Sequence, residues 1–322
     1  MGLIDRLKYN FINLDILQKI ILIMIVFFVI PHLINTILFL FNLSEFSIIS
    51  LFDVSPDLID LLSKPWSLIT YGFFHSDLRH LFVNMIILYL SGSVVLNLFG
   101  NERLIKIFIL GLLYGSIVYL ISYNLFPAFN NIKSSMIGSS AGVMAVFIFL
   151  TSYNPNYKFK VFDNLASGIS SELFVLLKII ISIVLLKYIG LTLNSLFLIL
   201  IIFEPKIVYL ALVLILNDVI QIPYGNPGGH IAHLGGALSG YIMYKKIING
   251  NDHGKWIISF YNFIFNRKTK SKKRNPRQQT TKSRADVIVQ KKIDLILDKI
   301  SKSGYDSLTK DEKETLFKAG KS

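Results

Sequence analysis

Cysteine is absent from this chain of 322 residues, which removes disulfide frameworks, thiol nucleophiles and cysteine-based metal sites at once. A hydrolytic nucleophile here has to be a hydroxyl, a carboxylate or a metal-bound water. Charge is scarce too: 16% of residues are Asp, Glu, Lys or Arg, where a soluble domain carries about a quarter. That charge is unevenly spread, with Lys and Arg gathered after residue 244, so the formal net charge of +13 is mostly a property of the tail. With 53% hydrophobic residues, a mean hydropathy of +0.56 and long apolar runs, the composition is that of a membrane protein. The basic tail then reads as a juxtamembrane segment facing anionic lipid, with no nucleic acid as partner.

A bilayer core needs about 20 apolar residues per helix. Six segments qualify or come close: Ile16–Leu43, Leu78–Phe99, Leu104–Phe126, Ile137–Tyr153, Lys206–Ile222 and Gly229–Ile248. The first is too long for a signal-peptide core and no small-residue cleavage site follows it, so it is expected as a retained span, interrupted by Pro31 and His32. Gly100-Asn101, Pro127, Asn154-Pro155-Asn156 and Pro223 to Pro227 separate the later segments. The expected fold is therefore all-α and polytopic, a bundle of six transmembrane helices with a small cytoplasmic helical tail.

Charge bias gives an expected orientation. The segment after the first span holds Glu45, Asp53, Asp57 and Asp60 against Lys64 alone. Arg103 and Lys106 follow the second span, Lys158 and Lys160 the fourth, and Lys245 to Arg284 the sixth. Lys and Arg mark the cytoplasmic side, which puts both termini inside. The apolar stretch Ser171–Phe203 is expected to lie on or under the membrane, as an interfacial helix and a strand (Leu191–Ile202), without an odd number of crossings. The domain division is then a membrane domain over 1–250 with an insertion at about 160–203, a basic linker over 251–284, and a helical hairpin over 285–322. In the hairpin, Ile293, Ile296, Leu297 and Ile300 fall at helical spacing and Thr309 with Glu312 forms a capping-box pattern.

Polar side chains inside spans are expensive and mark candidate function. The second span opens with His80 and Asn84 one turn apart on one face, the fourth with Gly138-Ser139-Ser140-Ala141-Gly142, and the sixth with Gly228 to Gly236, containing His230 and His233, then Gly240. All three spans enter from the non-cytoplasmic side in this topology, so the clusters share one depth. Hydrolysis by a serine needs a base and donors for the oxyanion. Ser140 at a helix start offers its own amide and a favourable dipole, His233 a base, and Asn84 and His80 hydrogen bonds. Gly236 and Gly240 share a stripe with His233 and permit close approach to Gly142 and Ala141, as small residues do.

Taken together, the HxxxN of the second span, the GxS of the fourth and the AHxxGxxxG of the sixth resemble the rhomboid family of intramembrane serine proteases. The resemblance covers roughly residues 10–250. It implies a catalytic dyad of Ser140 and His233 and an oxyanion site from the Ser140 amide, Asn84 and His80. Gly138, Gly142, Gly236, Gly240 and Met144 are the implied structural residues, with no metal and no cofactor. His75 and Trp66 with Thr70 match further family positions, and the tail Lys299 to Ala319 looks like an extension of some bacterial members. Implied substrates are transmembrane proteins cut near the outer end of a helix. Three positions depart from the pattern: Ser67 stands for the usual Arg, Ala141 for Gly, and Met144 for an aromatic residue under the histidine.

Other readings stay open on the residues alone. Ser139 and Ser140 suit helix packing, and His80 and Asn84 suit interhelical hydrogen bonding. His32 and His230 read as structural or peripheral, and Asp218 as a cap or contact for the following loop, with a proton-coupled site conceivable. A dyad needs no buried aspartate. A client-binding pseudoprotease would lack the serine or the histidine, a transporter would show inverted repeats, and a membrane metalloprotease would carry a motif such as H-E-x-x-H.

Overall fold

A reciprocal cap opens the first apolar run: Asp15 accepts from the Gln18 amide and Gln18 reaches back to the Asp15 amide. Helix α1, Ile16–Leu40, follows without a break. Pro31 lies inside it, so the expected interruption is absent. The proline removes one backbone donor, and the chain nonetheless keeps helical geometry across it. His32 then ties α1 to the next loop, reaching the Phe28 carbonyl through Nδ1 (2.8 Å) and the Ser76 carbonyl through Nε2 (3.3 Å).

The computed structural model describes residues 5, 11–43, 47–130, 132, 134–159, 178–182, 203–251 and 254–259, and in the C-terminal part 296, 299, 308–309 and 311–313. The chain divides into two units, Met1–Asn262 and Phe263–Ser322. In the first, the loop after α1 carries two short helices, α2 (Leu58–Ser63) and α3 (Ser67–Thr70). Lys64 pairs with Asp53 at 2.7 Å and Asp60 at 3.0 Å, so the lone base of this acidic loop is satisfied locally. Trp66 donates to the Leu51 carbonyl and Thr70 to that of Phe52. Ser67 itself is buried, its hydroxyl without a partner among the described residues.

Helix α4, Leu78–Leu125, is 48 residues long, about 72 Å if straight and more than twice a bilayer core. It is not straight. Gly100 adopts φ +80°, ψ 173°, a backbone region that only glycine occupies without strain. The two arms fold back, because both ends meet the same preceding loop: Asn124 donates to the Pro56 carbonyl, Ser116 to that of Leu68, and Tyr71 to that of Leu112. The arms correspond to the expected second and third spans.

Helix α5, Ser140–Tyr153, is the axle of the unit: every residue from Ala141 to Thr151 is buried. Its neighbours approach through small residues. A methyl on Gly115 would lie 2.5 Å from the Ala141 Cβ, and one on Gly236 would overlap the Ala141 carbonyl oxygen. Another on Gly240 would overlap the Ala145 carbonyl oxygen. Ala141 makes the expected contact with the last helix, while the nearest neighbour of Gly142 is the Phe108 ring on α4. In lipid, where apolar burial between helices gains little, contact of this kind holds a bundle together.

Helices α6 (Ile207–Gln221) and α7 (Pro227–Ile248) complete the unit. The Ile207 amide donates to the Tyr157 carbonyl at 2.7 Å, so the chain enters α6 at the end where it left α5. Residues 178–182 form a helical turn, with Lys178 at 3.2 Å from Glu204; the expected strand Leu191–Ile202 lies outside the described residues. So does most of the expected linker and hairpin. In the second unit, Glu312 accepts from the Thr309 amide (2.8 Å) while the Glu312 amide donates to Thr309 Oγ1 (3.4 Å), the reciprocal box read from the sequence.

The described residues are all-helical, with no strand. By length and apolarity, α1 and α4 are fit to cross a membrane, α4 with room for two crossings, while α5 and α6 are shorter apolar helices. Two such helices are fewer than the six spans expected.

Candidate active site

The start of α5 is shaped by Gly138, whose φ of +128° is unfavourable for other residues. A methyl there would lie 2.6 Å from His80 Cε1 and 3.7 Å from Ser140 Oγ, so the bare glycine gives the His80 ring its seat beside the serine. Ser140 is the first residue of α5. The first amides of a helix have no carbonyl partner within it, and they carry the positive end of the dipole.

Ser140, His80, Asn84, Met144 and His233 line one cavity of about 350 Å³, together with Gly138, Asp218 and His230. It opens among the first turns of α4, α5 and α7 and the last turns of α6. Among the described residues Ser140 and His233 face the cavity without a hydrogen bond between them; such bonds often shorten only when substrate is present. Asn84 is buried, and its Nδ2 donates to the His80 carbonyl at 2.9 Å, leaving its second N–H uncommitted among the described residues. Ser76 donates to Asp77, so the contact between Ser76 Oγ and His80 Nδ1 (3.3 Å) has the imidazole as donor. Nε2 of His80, the nitrogen toward Gly138, then carries a proton only in the imidazolium form. This narrows the donor role expected for His80.

The two adjacent serines differ in kind. Ser139 is fully buried, its hydroxyl donating to His75 Nε2 at 3.0 Å and its amide pointing at the same nitrogen at 3.4 Å. His75 is thereby the Nδ1–H tautomer, with Nδ1 buried and without a partner among the described residues. Burial, and next the neighbouring His80, press its pKa down to about 3. Ser139 and His75 thus form a sealed structural pair, whereas Ser140 is open to the cavity.

The feature that sequence reasoning missed is Asp218. It is 3% exposed, near the end of α6, and its Oδ1 accepts from Nδ1 of His233 and from Nδ1 of His230, each at 2.8 Å. Oδ2 is buried without a partner among the described residues. An aspartate in an apolar helix is expensive in a membrane even away from its centre, and that cost was the available signal that it has partners. Asp218, read from the sequence as a cap or contact for the following loop with a proton-coupled site conceivable, and His230, read as structural or peripheral, are thus hydrogen-bonded to each other. With Nδ1 of His233 donating to the carboxylate, Nε2 is left as the basic nitrogen. The ligand atoms of Asp218, His230 and His233 all lie within 4.8 Å of one another.

Fold and site together define a class: a helical membrane protein in which a serine at a helix start and a histidine on a glycine-lined helix share one cavity. Residues 62–194 match the Rhomboid domain family. The matched stretch contains His80, Asn84, Gly138 and Ser140 and stops short of Asp218 and His233. Residues 284–321 match a family of unknown function, DUF6576. Over 57 residues the chain is 42% identical to RHOMBOID-like protein 12, mitochondrial, from Arabidopsis thaliana, which covers 18% of this chain and 17% of that protein. The chain thus spans about a sixth of the curated relative it matches. No solved structure matches.

Proposed function

We propose that this protein is an intramembrane serine endopeptidase that cuts membrane-anchored proteins near the outer end of a transmembrane helix. The observation that carries the proposal is the single cavity holding Ser140 and His233, with His233 anchored through Nδ1 on a buried carboxylate. Ser140 Oγ attacks the scissile carbonyl carbon and its proton passes to His233 Nε2. Asp218 keeps the proton on Nδ1 and steadies the imidazolium as it forms. The oxyanion is met by the Ser140 amide and the second N–H of Asn84, with His80 contributing when charged. His233 then hands its proton to the departing amine, and a water activated by the same imidazole cleaves the acyl-serine ester.

The proposed topology has six spans, both termini cytoplasmic, and the cavity at the opposite face, in a bacterial plasma membrane. The meeting of α5 and α6 ends at Tyr157 and Ile207 supports a 160–203 insertion that returns to the side it left. The membrane domain would end near residue 250, followed by a basic linker over 251–284 that meets anionic lipid and a cytoplasmic helical hairpin over 285–322.

The test is cleavage of a transmembrane substrate in liposomes by purified variants of matched fold. Ser140→Ala and His233→Ala should each be inactive, and to a similar degree, because members of one catalytic unit fail together. Ser139→Ala should keep activity. Normal cutting by Ser140→Ala would refute the assignment.

A further inference from the structure

We propose that Asp218, His230 and His233 form a binding site for one divalent transition-metal ion of the zinc type, and that its occupation switches the protease off. Two imidazole nitrogens and a carboxylate oxygen already converge, each Nδ1 at 2.8 Å from Oδ1. In a tetrahedral zinc site with ligand distances of about 2.0–2.1 Å, neighbouring donors stand about 3.3 Å apart. Each nitrogen–oxygen pair is therefore about half an ångström short of that spacing, and all three ligand atoms lie within 4.8 Å of one another. Asp218 has its second oxygen buried and without a partner among the described residues, an unspent ligand in a site that charge alone would disfavour. The three residues also line the wide cavity, which supplies an entry path and room for a water in the fourth position. Nitrogen donors with one carboxylate favour zinc and its neighbours over magnesium or calcium, which prefer all-oxygen sets.

The consequence for catalysis follows from proton positions, and this part rests on His233 being the base. In the empty site each neutral imidazole carries its proton on Nδ1 and donates a hydrogen bond through it to Asp218. The ion takes the Nδ1 lone pair, so that proton leaves to solvent and another is taken from solvent at Nε2. The net charge of each imidazole is unchanged. His233 Nε2 then holds a hydrogen where it must accept one from Ser140, and the serine cannot be activated. His230, which has no part in the proposed proton transfers, makes the site a metal site without being needed for cleavage.

The experiment uses the full chain without a histidine tag, stripped with chelator and reconstituted in liposomes. Zinc sulfate is the probe and magnesium sulfate the control, with calorimetric binding and substrate cleavage read in parallel. Wild type should bind one zinc per chain and lose cleavage as it does so, with recovery on adding chelator. His230→Ala, and His230→Asn, which retains a donor toward Asp218, should cut substrate in the absence of zinc. Both should require at least about 100-fold more zinc for binding and for inhibition, a larger loss than removing a supporting residue around a metal causes. Failure of wild type to bind stoichiometric zinc overturns the site, as does inhibition of both His230 variants at the wild-type concentration. Cleavage that depends on zinc, and persists in Ser140→Ala, overturns the off-switch and the serine mechanism together. If no variant cuts substrate but Ser140→Ala binds one zinc in a His230-dependent way, the site stands and the proposed protease activity falls.

Discussion

Gly236 of α7 rests directly on the Ala141 carbonyl of α5, with no room for a methyl group between them. Gly236→Ala should therefore push the two helices apart or distort one of them, at an overpacking cost of about 1–3 kcal/mol. Thermal unfolding in detergent should show a clear loss of stability, with reduced cleavage in the folded fraction. Gly225→Ala is the control, since nothing lies within 4 Å of a methyl there, and it should match wild type.

Removing the charge of Asp218 without changing its shape separates orientation from packing. Asp218→Asn leaves His233 free to take the wrong tautomer, so kcat should fall by about 10²–10⁴, the range of a lost orienting carboxylate, with KM little changed. Michaelis kinetics on a transmembrane substrate measure the split. A variant with unchanged kcat and a raised KM would mean that Asp218 shapes the substrate site instead.

His75 predicts an acid sensitivity. Its folded pKa lies near 3 against about 6.5 for a free histidine, so below pH 6.5 the unfolded chain binds a proton that the folded chain refuses. Its contribution to stability is fully present above pH 6.5 and is lost as pH falls toward 3. The groups facing it are His80 and Asp77. Unfolding temperatures measured across this window should decline for wild type and more shallowly for His75→Gln. Identical slopes would show that other groups govern the acid response.

The absence of cysteine makes topology directly measurable. Single cysteines at Asn164 and Lys206 should be labelled from the same side by a membrane-impermeant maleimide, and one in the 50–60 segment from the other. Labelling of Asn164 and Lys206 from opposite sides would put His233 and Ser140 on different faces and rule out the proposed active site.

Much of this was legible in the sequence. Apolar run length marked the helices, Gly100 marked the reversal in α4, and the Thr309–Glu312 spacing marked a cap. The small residues at 141, 236 and 240 marked the contact of α5 with α7, since a missing side chain in a span has few other uses. Less legible was anything depending on which way a side chain turns. Ser139 and Ser140 are adjacent and chemically identical, and only the three-dimensional path puts one against His75 and the other in the cavity. Gly142 could have served either neighbour of α5 and serves Phe108. Asp218 and its histidines are separated by a proline- and glycine-containing turn whose geometry no local pattern encodes, with Asn226 held at φ +46° at its end.

The two carbonyl contacts of α7 have a mechanical consequence. Gly236 meets Ala141 and Gly240 meets Ala145, one helical turn apart on both helices, so the pair acts as a ratchet with a pitch of one turn. A screw displacement of a single residue, about 1.5 Å along the axis with a rotation of about 100°, would bring Ala237 and Tyr241 round toward the carbonyl oxygens. The depth of His233 relative to Ser140 is thus held by main-chain sterics and not by a bond between the two side chains. That alignment persists while the hydrogen bonds of the cavity are exchanged, through every change of protonation or occupant that a turnover brings.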